Sequence, residues 1–311
     1  MVPTVRLADL HLDEVLDKGG QGAVHSLADR PDQVFKQYFL PTADGAALSA
    51  LVGFPATLSP GDRRTLLESA AWPTEIVVEG HRTAGFLMQR VPARFAGRKA
   101  NGRHQLRELQ YLLFPPKPLW GDIEPLDVFE RLFLARRFIE VMGVLHRRSV
   151  VLGDISMRNI LWAPGEPPEL FILDCDSACV AGTVLPQADT PDWNDPESRT
   201  STSDLDSDRY KIALTVGRIL SCDAYVRPGT GLDLLDGLPD EVAAAVGTTF
   251  ARAAGGHGTR PTVDEWARAL SGRASIPLTP PAPRPPMPVL PLTDTDRRGP
   301  RGVIQLRPYQ R

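Results

Sequence analysis

The chain predicts an α+β protein: a small β-rich N-terminal lobe, a larger helical C-terminal lobe and a proline-rich tail. Three observations predict this. Residues 5–38 and 75–88 are short β-like runs separated by turn signals. Residues 126–147 place apolar side chains at 126, 129, 132, 133, 138, 141, 142 and 145, the spacing of a long helix. From residue 274 the composition shifts to proline and arginine. The boundaries that follow are 1–88 for the N-terminal lobe, 89–95 for a hinge, 96–273 for the C-terminal lobe and 274–311 for a disordered tail.

In chain order, Leu16-Asp17-Lys18-Gly19-Gly20-Gln21-Gly22-Ala23-Val24 reads as strand, glycine-rich turn, strand. Glycines let backbone N–H groups approach a phosphate with no Cβ in the way. Lys36 follows in the apolar run Val34-Phe35-Lys36, as a solvated edge-strand lysine or as a phosphate partner. Residues 43–71 look helical in two pieces, interrupted at Pro55 and at Ser59-Pro60-Gly61. Residues 75–79 and 84–88 read as strands around the turn Gly80-His81-Arg82. Residues 209–220, 240–253 and 262–270 read as helices, the last two preceded by Pro239 and Pro261.

The chemistry concentrates in Leu152-Gly153-Asp154-Ile155-Ser156-Met157-Arg158-Asn159-Ile160-Leu161 and Ile172-Leu173-Asp174-Cys175-Asp176. Two short strands flanking a loop would gather Asp154, Asn159 and Asp174 at one edge of a small sheet. Taken singly, these are ordinary turn or cap residues. As an ordered set they suit phosphoryl transfer, which needs a carboxylate to orient a hydroxyl, and an amide and a carboxylate to hold Mg²⁺ on a polyphosphate.

The order glycine turn, Lys36, Asp154-x4-Asn159, Asp174 resembles that of the protein kinase superfamily, over about residues 10–272. The resemblance implies a bilobal protein-kinase-like fold that binds ATP and Mg²⁺, with Mn²⁺ as a substitute. Gly19, Gly20, Gly22 and Lys36 would hold the phosphates. Val24 would press on the adenine, and Gln89 and Val91 would offer hinge backbone groups. Asp154 would act on the substrate hydroxyl, and Asn159 and Asp174 would hold the metal. Asp195-Pro196-Glu197 resembles the motif that closes the family's activation segment. Asp208 resembles its buried brace of the catalytic loop, and Arg260 the partner of Glu197 in a buried bidentate pair. Small-molecule kinases with the same Asp-x4-Asn core lack this trio.

The chain also departs from the family. Asp17 replaces the first glycine of the loop, Gly153 the arginine before Asp154, and Ser156 the catalytic-loop lysine, for which Arg158 is a candidate substitute. Asp174-Cys175-Asp176 loses the usual Phe and Gly. No Glu follows Lys36 at the usual distance, leaving Glu68 or Asp44 as candidate partners. The Gly153-Asp154 step and the Asp174-x-Asp176-Ser177 run resemble a bacterial Ser/Thr kinase-like subfamily sometimes fused to helix-hairpin-helix segments. That resemblance implies a PP2C-type phosphatase and a von Willebrand A-type protein as partners. Because Gly153 replaces the arginine that would meet a phosphorylated activation loop, activity without activation-loop phosphorylation is expected.

Composition narrows the setting. The balance of 35 Lys+Arg against 38 Asp+Glu gives a net charge of −3, with no global pull towards nucleic acid or membrane. The three cysteines, Cys175, Cys179 and Cys222, make no disulfide framework, and the N-terminus has no signal-peptide h-region. A cytoplasmic protein is expected, with no zinc site among its dispersed histidines. Eight of the fifteen residues in 277–291 are proline, which favours polyproline II and suits an SH3-like partner. The expected function is a Ser/Thr protein kinase. The alternatives are a nucleotide-binding pseudokinase scaffold acting through the tail, and a small-molecule phosphotransferase.

Overall fold

The inner N-terminal strands join into one sheet because they carry apolar residues on a face that meets the core, whereas Leu12–Lys18 is exposed along its length and adds at one edge through backbone pairing. A computed structural model describes residues 2–39, 45–180, 190–197 and 203–273. Strands β1 (Thr4–Arg6), β2 (Leu12–Lys18), β3 (Gly22–Leu27), β4 (Gln33–Tyr38), β5 (Pro73–Glu79) and β6 (Arg82–Gln89) form a sheet in the order β1-β5-β6-β4-β3-β2. The β1–β5 pair is parallel and the others are antiparallel. The glycine-rich turn joins β2 to β3 at the sheet's edge. Lys36 lies on β4, between β3 and β6, opposite Val24 and Phe86. An edge-strand position for this lysine is therefore ruled out.

Helices α1 (Gly45–Gly53) and α2 (Pro60–Ser69) connect β4 to β5, separated at Pro55 and Ser59 as expected. Ser59 caps α2, accepting from the Asp62 N–H at 3.1 Å, with Pro60 in the first turn. Leu48 and Val52 of α1 pack with Val34, Ile76 and Phe86 of the sheet. Leu66 of α2 instead joins the helical core. The connection is tied down where Ala71 N–H donates to the Ile172 carbonyl at 2.8 Å and Trp72 Nε1 to the Leu51 carbonyl at 2.8 Å.

After β6 come the short pair β7 (Ala96–Arg98) and β8 (His104–Leu106), then α3 (Gln110–Leu113) and α4 (Val128–His146). A capping box starts α4. Asp127 accepts from Glu130 N–H and Glu130 accepts from Asp127 N–H, both at 2.8 Å. Leu132, Leu134, Phe138, Val141, Met142 and Leu145 of α4 are buried in the main core. Each such side chain contributes about 1.5–3 kcal/mol on full burial. The hairpin of β9 (Ile160–Ala163) and β10 (Glu169–Ile172) follows, then α5 (Leu205–Ser221), α6 (Asp240–Arg252) and α7 (Val263–Leu270).

Two expectations change here. Helix α5 begins four residues before the expected start at 209, because Asp204 caps it and forms a box with Ser207. Asp208 is thus inside the first turn. The strand pair near the polar set does not flank the 152–159 loop; it is a hairpin that follows it, joining Asn159 to Asp174. The expected tail at 274–311 and the candidate residue Asp44 lie outside the described residues. No helix of the described residues is long and apolar enough to cross a membrane.

Candidate functional site

Four chain segments meet at the end of the β9–β10 hairpin. Asn159 immediately precedes β9, and Leu173 N–H donates to its carbonyl at 2.8 Å, which holds Asn159 and Asp174 side by side. Asn159 Nδ2 donates to Asp154 Oδ2 at 2.8 Å and to the Asp154 carbonyl at 3.0 Å. From the sheet, Lys36 Nζ reaches Asp174 Oδ1 at 3.1 Å and Asp176 Oδ1 at 2.6 Å. Lys36, Asn159, Asp154 and Asp174 are thus connected through short contacts.

The loop that carries Asp154 is braced from below. Asp208 is fully buried and accepts from the N–H groups of Leu152 at 2.7 Å and Gly153 at 2.9 Å. His146 Nε2 lies 3.2 Å from the same carboxylate. Gly153 adopts φ +80°, a conformation glycine takes without the cost a Cβ would add. Asp174 also has positive φ (52°), which Asp tolerates better than most residues.

Burial pushes the Asp154 carboxyl above the ordinary range. Hydrogen bonds from Thr190 and Asn159 and the nearby Lys211 charge pull it back in part, and the neighbouring Asp174 charge adds to the rise. Burial also works against the Lys36 ammonium, but the charges of Asp176 and Asp174 outweigh it and raise its pKa.

The glycines divide by surroundings. A Cβ on Gly22 would strike the Gln37 carbonyl, so the sheet itself requires that glycine. Around Gly19 and Gly20 there is open space, and only the turn bond from Gly19 N–H to the Gly22 carbonyl, 3.0 Å, engages them. Val24 and Val91 are partly buried beside the cluster formed by Val34, Phe86, Met88, Leu161 and Phe171. Gln89 ends β6, paired with Gln33.

Two expectations about partners need correction. Glu68 is exposed on α2, bordering a groove with Phe133, Arg137 and Pro168, and the carboxylates on Lys36 are Asp174 and Asp176. Helix α1, which packs on the sheet, contains no ionisable residue that could pair with it. Arg260 makes its bidentate contact with Asp195, at 2.6 and 2.7 Å, both side chains being buried. Glu197 stands 3.8 Å away and half exposed, because its Oε2 instead accepts from the His257 N–H at 2.8 Å. Arg158 is exposed, its charge reaching Glu108. The cation at the Asp154 loop is Lys211, which donates to the Gly153 carbonyl at 2.8 Å.

Thr190, Tyr38 and Lys211 are residues of this cluster that the sequence did not single out, and Asp176 stood out only as part of the Asp174-x-Asp176-Ser177 run, with no partner assigned to it. Thr190 Oγ1 donates to Asp154 Oδ1 at 3.1 Å, and Tyr38 OH to Asp176 Oδ2 at 3.2 Å. Signals existed for two of them. Lys211 lies one helical turn after Asp208, on the same face of α5, in an otherwise apolar stretch. Asp176 is a second carboxylate two residues beyond Asp174. No protein-family model matches the chain, and no curated protein matches its sequence.

Proposed function

We propose that this protein is an ATP- and Mg²⁺-dependent Ser/Thr protein kinase with a bilobal protein-kinase-like fold. The observation that carries the reading is the meeting of Lys36, Asp154, Asn159 and Asp174 at one end of the β9–β10 hairpin, linked by contacts of 2.8 to 3.1 Å. The buried brace of Asp208 under the Asp154 loop adds support.

The donor set fits a hard divalent cation. With Nδ2 engaged by Asp154, Asn159 keeps its Oδ1 as an acceptor, and the Asp174 carboxylate is half exposed. Among the described residues no three His, Cys, Asp or Glu side chains gather as a metal cluster. Magnesium would therefore be held by Asn159 and Asp174 together with polyphosphate oxygens and water, its usual manner of binding. When bound, MgATP supplies the phosphoryl group and the metal neutralises its charge.

The protein's own groups do the rest. Lys36 would pair with the α and β phosphates, and the open space around the Gly19 and Gly20 Cα atoms would let the polyphosphate approach the turn closely. Val24 and Val91 would pack on the base, with backbone groups of Gln89 and Val91 as its polar partners. Asp154 orients a Ser or Thr hydroxyl, in the manner of the Thr190 hydroxyl that donates to it here. It takes the proton as the substrate oxygen bonds to the γ phosphorus and the bond to the departing ADP breaks. Positioning and fixed charge supply most of the rate.

The test is incubation of the full chain with γ-labelled ATP and Mg²⁺ or Mn²⁺, beside Asp154→Ala and Lys36→Ala. Label on Ser or Thr with the wild type alone supports the kinase. Nucleotide bound without transfer by any of the three would replace it with a scaffold. Transfer to sugars or aminoglycosides in preference to protein would replace it with a small-molecule phosphotransferase.

A further inference from the structure

Lys36 contacts two carboxylates, and they are not equivalent. Asp176 is nearly buried and lies closer, at 2.6 Å, whereas Asp174 is half exposed at 3.1 Å. Both Asp176 oxygens are engaged, one by Lys36 and the other by Tyr38 OH at 3.2 Å. Lys36 and Tyr38 are two residues apart on β4, so they project from the same face of the strand and grip one carboxylate between them.

The turn that carries Asp176 is itself anchored. Cys175 is buried in the main core, Ala178 N–H donates to the Cys175 carbonyl at 3.1 Å, and Ser177 Oγ donates to the Leu152 carbonyl at 3.2 Å. The last bond ties the turn to the loop that bears Asp154. No described α-helix supplies a carboxylate to Lys36. Helix α1 has no ionisable residue, Glu68 of α2 is exposed elsewhere, and both carboxylates on the lysine come from the 174–176 stretch.

We infer that Asp176 is the positioning residue for Lys36, holding its ammonium in place for nucleotide phosphates, with Tyr38 fixing the carboxylate. The inference rests on the kinase reading and deepens it. The two carboxylates then divide their work. Asp174 is free to turn to a metal-bound nucleotide, while Asp176 keeps the lysine. The placement of Lys36 is consequently tied to the turn at residues 175–177 and the Asp154 loop, and not to the swing of a helix.

The test is a double-mutant cycle on the full chain, read as the affinity for ATP in the presence of a chelator, by calorimetry, so that neither metal nor turnover enters. Lys36→Met and Asp176→Asn should each weaken binding about tenfold or more. The double variant should bind no more weakly than Lys36→Met alone, because Asp176 acts through the lysine. Asp176→Glu should recover most of the affinity, and Tyr38→Phe should lose a smaller factor. These two variants also carry the test should Asp176→Asn not fold.

Unchanged binding in Asp176→Asn overturns the inference. So does an equal loss from Asp176→Asn in the presence and absence of Lys36, and so does a Glu variant as weak as the Asn one. Wild type that binds no ATP, with or without Mg²⁺, sinks the kinase reading and this inference together. Wild type that binds while the cycle is additive sinks the inference alone.

Discussion

Two clusters in this protein each set one cation between two aspartates, in different surroundings. Lys36 sits between Asp174 and Asp176, and Arg260 between Asp195 and Asp206. In the Arg260 cluster the cation and Asp195 are each 1% exposed, and the guanidinium also stacks over Tyr210, 5.0 Å from the ring centroid. In the Lys36 cluster Asp176 is 7% exposed but Asp174 is 50% exposed. A sealed cluster can only hold the chain together, because exchanging a partner would strand a buried charge. A cluster with one side open to solvent can exchange that partner for a ligand. The difference in exposure separates a brace from a candidate site.

Breaking each cluster should therefore fail in a different way. Asp174→Asn should cut phosphate transfer at least about a hundredfold and abolish Mg²⁺-dependent nucleotide binding. Its loss of stability should stay within about 1 kcal/mol, as for other half-exposed ion-pair partners. Transfer assays beside denaturant unfolding check both halves, and unchanged turnover would remove Asp174 from the site. Arg260→Ala should reverse the pattern, with a stability loss of about 3–5 kcal/mol from stripping the buried Asp195 of its bidentate partner and leaving Asp206 only the longer contact to Arg209, at 3.5 Å. Glu197→Gln, at the long and exposed contact, should cost no more than about 1 kcal/mol. Equal losses from these two variants would contradict the geometry around Arg260.

Smaller effects sharpen the contrast. Since burial raises the Asp154 pKa, activity should fall on acidification at a pH above the ordinary aspartate value of about 3.9. Thr190→Val removes a hydrogen bond that favours the charged form, so the acid limb of the rate profile should move further up in pH. A limb that stays in place would separate Thr190 from the Asp154 titration.

The smallest effect belongs to an exposed pair, His257 with Asp204 at 2.7 Å. The hydrogen bond to Asp204 raises the His257 pKa. The pair's contribution to stability is therefore complete below the unfolded histidine pKa and is lost as pH rises through the raised one. Asp204→Asn keeps an effective cap on α5 while removing the charge. An NMR titration should show the His257 midpoint moving down towards the ordinary value of about 6.5.

What was legible in the sequence follows from the range over which each signal acts. The glycine turn, the two-piece helix around Pro55 and Ser59, and α4, α6 and α7 all depend on residues within a few positions of one another. Caps, breakers and apolar periodicity specify such elements locally. The polar set was legible for a similar reason, since Asp154, Asn159 and Asp174 sit at fixed offsets around one short hairpin. The early start of α5 is specified by Asp204 and Ser207, which form its cap ahead of the expected start at 209.

Pairing across the chain had no such signal. Lys36 and Asp176 are 140 positions apart, and Arg260 and Asp195 are 65 apart. In each case the sequence contained several acids of the right type. Glu68 lost Lys36 because α2 packs towards α4 and away from the sheet. Glu197 lost Arg260 because Asp195 is the acid carried into the buried position. By itself the sequence determined which elements form and which residue types are at hand. Only the tertiary structure decided which carboxylate each cation meets, because a charge leaves water only where packing supplies its partner.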